Sequence, residues 1–289
     1  MVFFESIRKL TYMSEIILFL FIKFIRIMTM MNVINFSLFI LISTIIVLST
    51  LLVYKNTDQV NHIYLINLKR RPDRLKEFLQ CYNECGLTQK KLTKFNAVDG
   101  TLLDIKTVPL TSLAILELKQ LETIGFRYKH YQLTKGAIGC FMSHVKVWEH
   151  ILSSDKNSAL IFEDDARPPP NFKKMVNKTM MNIPNDWDIV LFGKHCYECE
   201  DKGEYVRVKK FILLHSYMIS KRGILKIFNE NNIFPISQQL DAYLSEISDI
   251  INIYASKNNM VSQASSRTDI QAPIVKHPLN NARNTFDEK

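Results

Sequence analysis

The sequence contains three consecutive carboxylates, Glu163-Asp164-Asp165. Their type and spacing make them the best candidates in this chain for binding a metal ion. They follow a short apolar segment, residues 159–162, and shortly precede the turn-forming sequence at 167–170, Arg-Pro-Pro-Pro. Adjacent carboxylates repel one another, so keeping all three ionised costs stability unless a cation lies among them. Oxygen ligands favour a hard ion such as Mg²⁺ or Mn²⁺, which also binds phosphate oxygens. The alternative is a solvated acidic turn or a helix N-terminal cap, and an isolated acidic triplet by itself favours that interpretation.

Composition argues against several other kinds of chemistry. The chain has 289 residues, of which 47% are hydrophobic and 22% charged, as is typical of a globular protein. Its eight glycines form neither G-x-G-x-x-G nor G-x-x-x-x-G-K-[ST], so Rossmann dinucleotide binding and P-loop chemistry are not predicted. The formal net charge of +9 is spread along the chain, without the basic stripe that nucleic-acid binding needs.

The five cysteines are too few and too scattered to build a disulfide scaffold. Cys196-x-x-Cys199, beside His195, has the spacing of half a zinc site, but no second pair completes it. A loop disulfide or two free thiols are the favoured interpretations.

The elements that must position the carboxylates alternate between strands and helices. Residues 61–68 form an almost continuous apolar run, which predicts a strand buried on both faces. A helix is predicted from Pro72 to the glycine at 86, and a second strand over 91–98. Further helices are predicted at 112–122, 137–152, 221–229 and 238–247, and further strands at 159–162, 188–192, 206–213, 216–219 and 250–254. This order predicts an α/β fold with a largely parallel sheet.

The N-terminal part of the chain reads as a membrane anchor. Residues 33–53 carry no charge, and a helix of that length spans about 31 Å, close to the hydrocarbon thickness of a bilayer. Basic residues are more frequent before this segment than directly after it, which predicts a type II orientation. A cleavable signal is the competing interpretation. The predicted organisation is a cytosolic segment 1–32, a signal-anchor helix 33–53, a stem 54–61 and an extracytoplasmic domain 62–289.

Four segments carry a resemblance to a known family. They are Ile63–Arg74 (IYLINLKRRPDR), Phe95–Gly100 (FNAVDG), Leu133–His144 (G-x-x-G-C-x-x-S-H) and Leu160–Asp165 (LIFEDD). In this order and spacing they resemble glycosyltransferase family 25, which includes lipooligosaccharide and procollagen galactosyltransferases. Weaker similarities at 216–220, 261–263 and 268–270 extend the resemblance over about residues 62–270.

The resemblance implies a GT-A type fold, a nucleotide-sugar donor that is usually UDP-linked, a divalent metal, and inversion at the anomeric carbon. It places the metal and diphosphate at the acidic cluster. Asp165 ranks first as metal ligand, because Glu163 and Asp165 share a face in an extended segment. Glu163 and Asp164 are expected to support it, and Asp164 is also counted among the nucleotide-sugar residues.

The resemblance also implies a set of nucleotide-sugar contacts. Asn67, Arg70 and Arg74 follow the first strand, and the arginines suit phosphate; a solvated charge at a helix start is an equal alternative for Arg74. Asp99 is expected near the base or ribose, although a turn aspartate needs no such role. His144 is expected in the site, with a packed, hydrogen-bonded histidine as the alternative.

Inversion requires a general base, and Asp241 is the first candidate, with Glu246 or Asp249 as substitutes. The expected activity is transfer of a hexose, galactose or glucose, from a UDP-sugar to a hydroxyl of a glycan, protein or lipid. The alternatives are a catalytically inactive binding or scaffold protein with the same fold, or a metal-dependent phosphoesterase. The seven histidines do not supply the ligand spacing that a two-metal phosphoesterase needs.

Overall fold

The computed structural model describes residues 19–25, 33–55, 60–127, 132–230, 233–265 and 268–270. The chain divides into two compact units, Met1–Thr57 and Asp58–Lys289. In the first unit, residues 19–25 are helical and helix α1 spans Val33–Lys55, which contains the predicted anchor segment. Among the described residues, no helix has both the length and the apolar character needed to cross a bilayer. Residues 1–18 and 26–32 of the predicted cytosolic segment, and 56–59 of the predicted stem, lie outside the described residues.

The second unit is built on one large sheet and the helices that cover it. The strands of the large sheet are β1 Ile63–Asn67, β2 Leu92–Asn96, β3 Ser158–Glu163, β5 Ile189–Leu191, β6 His195–Asp201, β7 Tyr205–Ile212, β8 Ser216–Ser220 and β9 Ile253–Ser256. A separate two-stranded ribbon pairs β4 Ala166–Arg167 with β10 Ser262–Gln263. The helices are α2 Pro72–Glu84, α3 Ser112–Ile124, α4 Lys135–Ser153, α5 Phe172–Asn182, α6 Lys221–Glu230 and α7 Leu240–Glu246.

The strand order of the large sheet is β2-β1-β3-β8-β5-β9-β7-β6. Strand β1 pairs in parallel with β2 and β3, and β5 pairs in parallel with β9. Strands β8 and β7 are antiparallel to both of their neighbours. The α/β class is therefore confirmed, and the sheet is mixed because these two strands are inserted among the parallel ones.

Alternating side chains of the central strands feed two separate hydrophobic layers. In β1, Tyr64 and Ile66 join the layer formed with α3, α4, α6 and α7, whereas Ile63 and Leu65 join the layer formed with α2 and α5. Both faces are thus covered by helices, so the strand has no solvent-facing side. This explains why an uninterrupted apolar run predicts the strand correctly.

The sequence-based assignment lacked strand β6 and helix α5, as well as the short strands β4 and β10. Strand β6 has the sequence HCYECED, whose charged and exposed side chains are compatible only with an edge position beside β7. Cys196 and Cys199 form a disulfide within it, which decides between the predicted alternatives and leaves no thiolate for zinc. Helix α5 was hidden by its polar composition, because only Phe172 and Val176 of its residues are fully buried.

Candidate active site

The acidic cluster lies at the carboxyl edge of the parallel part of the sheet. Glu163 is the last residue of β3, and Asp164 and Asp165 form the turn that leads into β4. The register pairs Ile66 with Glu163, so the end of β1 and its terminal Asn67 lie beside this turn. In open α/β sheets this edge is where ligands bind. Asp164 and Asp165 are only 5% and 6% exposed, which excludes a solvated acidic turn.

Asp164 connects the end of β1 to the start of α2 through its two side-chain oxygens. Its Oδ2 accepts a hydrogen bond from Asn67 Nδ2 at 2.8 Å, and its Oδ1 accepts one from Arg74 Nη1 at 3.1 Å. Burial raises the pKa of Asp164 despite these two bonds. Because both carboxylate oxygens are engaged, Asp164 holds Asn67 and Arg74 in place. Arg74 itself is buried, not a solvated charge at the start of α2.

Asp165 differs from its neighbour because one of its oxygens has no protein partner. Its Oδ2 accepts a hydrogen bond from Gln263 Nε2 at 3.1 Å and lies 3.7 Å from Arg74 Nη1. Its Oδ1 is buried and has no hydrogen bond within the described residues. Burial, reinforced by the charge of Glu163, raises the pKa of Asp165 to about 7. A buried carboxylate oxygen without a donor is costly unless a cation or ligand binds it.

A chain of hydrogen bonds runs from α4 through β8 to Glu163. Trp148 Nε1 donates to Tyr217 Oη at 2.9 Å, and Tyr217 Oη lies 2.8 Å from His144 Nδ1. His144 Nε2 lies 3.2 Å from Glu163 Oε1. The Trp148 indole can only donate, so Tyr217 Oη accepts from it. We therefore assign a hydrogen bond from the Tyr217 hydroxyl to His144 Nδ1, and place the His144 proton on Nε2, from which it is donated to Glu163. Burial opposes ionisation of Glu163, but this hydrogen bond and nearby positive charge outweigh it and lower its pKa. His144 is therefore both packed and in contact with the acidic cluster.

Donor atoms of Cys140, His144 and Glu163 lie within 4.8 Å of one another, close enough to hold a metal ion. However, both ring nitrogens of His144 are hydrogen-bonded, and burial raises the pKa of the Cys140 thiol well above its usual range. Glu163 and Asp165 line the same cavity, and the buried Oδ1 of Asp165 accepts no hydrogen bond from the described residues. This donor set fits a hard divalent cation better than a soft one.

Three arginines converge on Asp269, a residue that the sequence analysis did not select for the site. Arg70 Nη1 donates to Asp269 Oδ1 at 2.5 Å, Arg71 Nη1 donates to Oδ2, and Arg74 Nη2 lies 3.9 Å from Oδ2. The weak similarity at 268–270 was the available signal for Asp269. Arg71 lies in the same family-like segment as Arg70 and Arg74, and no further feature of the sequence marked it as a site residue.

Asp99 caps a turn, as the alternative interpretation expects, and it also pairs with Arg70. Its Oδ1 caps the 3-10 turn Gly100–Leu102 through Thr101 N at 3.0 Å, and its Oδ2 accepts from Arg70 Nε at 2.6 Å. Burial opposes ionisation of Asp99, but the bonds from Arg70 and Thr101 outweigh it and lower its pKa. The adjoining turn packs directly on α4, where a Cβ on Gly139 would lie 2.6 Å from Gly100 N. The helix therefore needs glycine at that contact.

Asp241 lies in the first turn of α7 and lines the same cavity as Glu163 and Asp165. Its Oδ2 accepts from Leu213 N at 3.2 Å, and its Oδ1 accepts from Ala242 N at 2.9 Å. Leu213 has a left-handed backbone (φ 75°), an uncommon conformation for a branched side chain. Burial raises the pKa of Asp241 against the effect of these amides. Of the two substitutes, Glu246 is exposed and hydrogen-bonded to Gln238, and Asp249 is exposed and paired with Lys209 on the surface; neither lines the cavity.

Two adjoining cavities complete the geometry. The larger, about 290 Å³, is lined by Glu163, Asp165, Asp241, Cys140 and Gln239, among others. The smaller, about 60 Å³, is mostly apolar, and Ile66, Leu68, Ala97, Val98, Gly136 and Ser143 contribute to its wall. Six residues border both cavities: Arg74, Cys140, His144, Glu163, Asp269 and Ile270. The site thus joins an apolar pocket beside β1 and β2 to an acidic cavity beside β3.

Comparison with known proteins identifies the family of this chain. The sequence pattern of "Glycosyltransferase family 25 (LPS biosynthesis protein)" matches residues 60–244, well over half of the chain. The chain belongs to glycosyltransferase family 25. The matched region of this family 25 chain contains every site residue predicted from the sequence, from Asn67 to Asp241, whereas Gln263 and Asp269 lie beyond it.

Individual family 25 relatives are about one third identical to this chain. A "Glycosyltransferase 25 family member" of Aedes aegypti is 31% identical over 184 residues, covering 61% of this chain and 29% of the relative. "Procollagen galactosyltransferase 1" of Danio rerio is 31% identical over 185 residues, covering 60% and 29%. "Procollagen galactosyltransferase 2" of Homo sapiens is 33% identical over 144 residues, covering 49% and 22%. The alignment thus spans less than a third of the length of these relatives.

Proposed function

We propose that this chain is a glycosyltransferase that transfers a hexose from a UDP-sugar to an acceptor hydroxyl with inversion, assisted by a divalent metal. Family membership supports glycosyl transfer. The relatives from Danio rerio and Homo sapiens are named galactosyltransferases, which favours galactose over glucose as the transferred sugar. The observation that carries the proposal is the buried Oδ1 of Asp165, which has no hydrogen-bond partner among the described residues, at an acidic cavity that Asp165 and Arg74 both border. A cation would bind the Asp165 carboxylate, and a diphosphate would bind both that cation and Arg74.

The donor is bound across both cavities. The smaller, apolar cavity takes the nucleoside, next to Asp99 and the ends of β1 and β2. Arg70 and Arg74 meet the diphosphate, since a guanidinium matches phosphate oxygens with paired hydrogen bonds. Asn67 acts through Asp164, which it holds against Arg74.

Asp165 and Glu163 would hold Mn²⁺ or Mg²⁺, and the bound ion would supply positive charge to the departing diphosphate. His144 keeps Glu163 ionised and oriented through its Nε2 proton. Tyr217 in turn fixes the ring of His144, so the hydrogen-bond chain from α4 determines which oxygen faces the cavity.

Asp241 is the proposed general base. It lies on the cavity wall, and its raised pKa makes it a better proton acceptor than an ordinary aspartate. The two backbone amides orient its carboxylate, so an acceptor hydroxyl in the larger cavity can lose its proton to an Asp241 oxygen. The hydroxyl oxygen then attacks the anomeric carbon from the face opposite the diphosphate, which inverts the configuration.

The decisive experiment measures UDP release by the full-length chain with a panel of UDP-sugars, Mn²⁺ and a collagen peptide or glycan acceptor. We expect release that a chelator abolishes and that Asp165→Asn and Glu163→Gln reduce at least a hundredfold. Asp155→Asn is the matched control, because Asp155 pairs with Lys156 on the surface and is 83% exposed. UDP-sugar binding without release would instead identify an inactive binding protein, and chelator-resistant release would contradict the metal site.

We further propose that residues 33–53 anchor the chain in a membrane in a type II orientation, with the catalytic unit on the extracytoplasmic side. The support comes from the sequence alone, from its uncharged run and its basic flank, since no helix of the described residues qualifies as a membrane span. Resistance to alkaline extraction, together with protease protection of the C-terminal unit in sealed vesicles, tests the anchor and its orientation. Full extraction by alkali would contradict it.

A further inference from the structure

The segment Thr268–Ile270 returns to the carboxyl edge of the sheet and places one carboxylate among three guanidinium groups. Asp269 accepts hydrogen bonds from Arg70 and Arg71, and Arg74 Nη2 lies 3.9 Å away. The Asp269 side chain is 14% exposed, so these charges interact in a partly desolvated setting. A carboxylate between guanidinium groups has the charge and oxygen geometry with which they bind phosphate.

The backbone of this segment is held as tightly as its side chain. Thr134 Oγ1, at the N-cap of α4, donates to Ile270 O. A Cβ on Gly136 would lie 2.3 Å from Asp269 O and 2.8 Å from Ile270 Cα. The segment therefore rests on the start of α4 with no space for a larger side chain at position 136.

The position of Asp269 between the two cavities gives this contact a functional meaning. Asp269 and Ile270 border both the apolar cavity and the acidic cavity. If the nucleoside occupies the first and the sugar the second, as the proposed function requires, the diphosphate must pass between them. That place is the one where Asp269 meets the arginines.

We propose that the Asp269 carboxylate occupies the diphosphate subsite. The phosphates of a nucleoside diphosphate displace this carboxylate and take its place on Arg70, Arg71 and Arg74. Arg71 thereby becomes a third phosphate-binding arginine. The exchange breaks and forms only ion pairs, and each guanidinium keeps a second carboxylate: Asp99 for Arg70, Asp73 for Arg71 and Asp164 for Arg74. The arginines therefore stay in place when Asp269 leaves.

The exchange lowers the apparent affinity for the diphosphate, because the ligand binds only the fraction of molecules in which Asp269 has moved away. Removing the competing charge with Asp269→Asn is expected to tighten binding of inorganic pyrophosphate roughly tenfold. Calorimetry with the full-length chain and chelator measures this without metal or turnover, and a repeat with UDP extends it to the nucleotide.

Two matched variants separate competition from general charge effects. Asp201→Asn removes a carboxylate from Lys257 on the surface, where the Asp201 side chain is 56% exposed. Asp155→Asn makes the same change in net charge at the far end of α4. Both are expected to change pyrophosphate affinity less than threefold. Gly136→Ala displaces the segment without altering any charge, and we expect it to tighten pyrophosphate binding in the same direction as Asp269→Asn.

Unchanged or weaker pyrophosphate binding by both Asp269→Asn and Gly136→Ala would overturn the proposal, since Asp269 would then only position the arginines. Equal tightening by Asp201→Asn or Asp155→Asn would overturn it as well. If Asp269→Asn fails to fold, as judged by circular dichroism, Gly136→Ala decides. Wild-type transfer together with unchanged pyrophosphate binding by the variants defeats this inference alone, whereas tightened binding without any transfer defeats only the proposed function.

Discussion

Replacing Asp165 by asparagine is expected to stabilise the metal-free protein at pH 8 and to abolish its stabilisation by Mn²⁺. The Asp165 carboxylate is buried, and one of its oxygens has no hydrogen bond among the described residues. The charge of Glu163, two residues earlier in the chain, further opposes its ionisation. Such a group destabilises the fold whenever it is ionised without a cation.

The size of the effect follows from the pKa of Asp165, which is raised from 3.8 to about 7. Between these values the folded chain keeps a proton that the unfolded chain has lost, so stability falls as pH rises through this window. At about 1.36 kcal/mol per pKa unit, the cost is about 1.7 kcal/mol at pH 5 and about 4 kcal/mol at pH 8. Asparagine avoids this cost but buries an unpaired N–H, a penalty of about 1–3 kcal/mol at either pH.

The stability of the variant relative to wild type should therefore increase by about 2.5 kcal/mol from pH 5 to pH 8, or roughly 5–10 °C in Tm. Thermal unfolding of the full-length chain, followed by circular dichroism with chelator at both pH values, measures this difference. Added Mn²⁺ at pH 8 should raise the Tm of wild type and not that of Asp165→Asn. Asp155→Asn, on the surface, should show neither effect. Equal pH dependence of variant and wild type, or equal responses to Mn²⁺, would refute the reasoning.

Three further predictions concern the rest of the site. Asp241→Asn should lower kcat by at least a thousandfold with UDP affinity within threefold of wild type, because it removes a base and no donor contact; a parallel loss of UDP binding, measured by calorimetry, would contradict this. Tyr217→Phe removes the hydroxyl that bridges the His144 ring and the Trp148 indole, so kcat should fall about tenfold and the pH–rate profile should shift. An unchanged pH–rate profile would exclude the positioning role of Tyr217. Gly139→Ala forces a Cβ to within 2.6 Å of Val98 O and Gly100 N, and should lower the free energy of unfolding by about 2–4 kcal/mol, as measured in urea; a change below 0.5 kcal/mol would show that the turn can move away.

The apolar strands and the amphipathic helices were predictable because their signals are local. Strand β1 lies within the predicted range 61–68, and α4, predicted at 137–152, spans Lys135–Ser153. Both elements face hydrophobic layers, and periodic burial is written directly into the order of apolar residues. Strand β6 and helix α5 escaped because an exposed edge strand and a half-exposed helix carry little periodic apolar signal.

Strand direction was beyond local reasoning as well. Nothing in the residues of β8 states that they run antiparallel between β3 and β5, since direction depends on how the connections cross the sheet. The same holds for the pairing of β4 with β10, which brings Gln263 to Asp165 across almost a hundred residues of sequence.

The family, the α/β class and the acidic turn with the residues that follow β1 could be predicted from amino-acid order, because each is encoded in a short, contiguous pattern. The contacts of those residues could not be predicted in this way and follow from the fold. Among the described residues, Asp164 has two partners and one oxygen of Asp165 has none. Glu163 meets His144, and Asp269 pairs with the arginines. These outcomes depend on contacts between residues far apart in the chain and on the exclusion of water around them, and neither property belongs to any one segment.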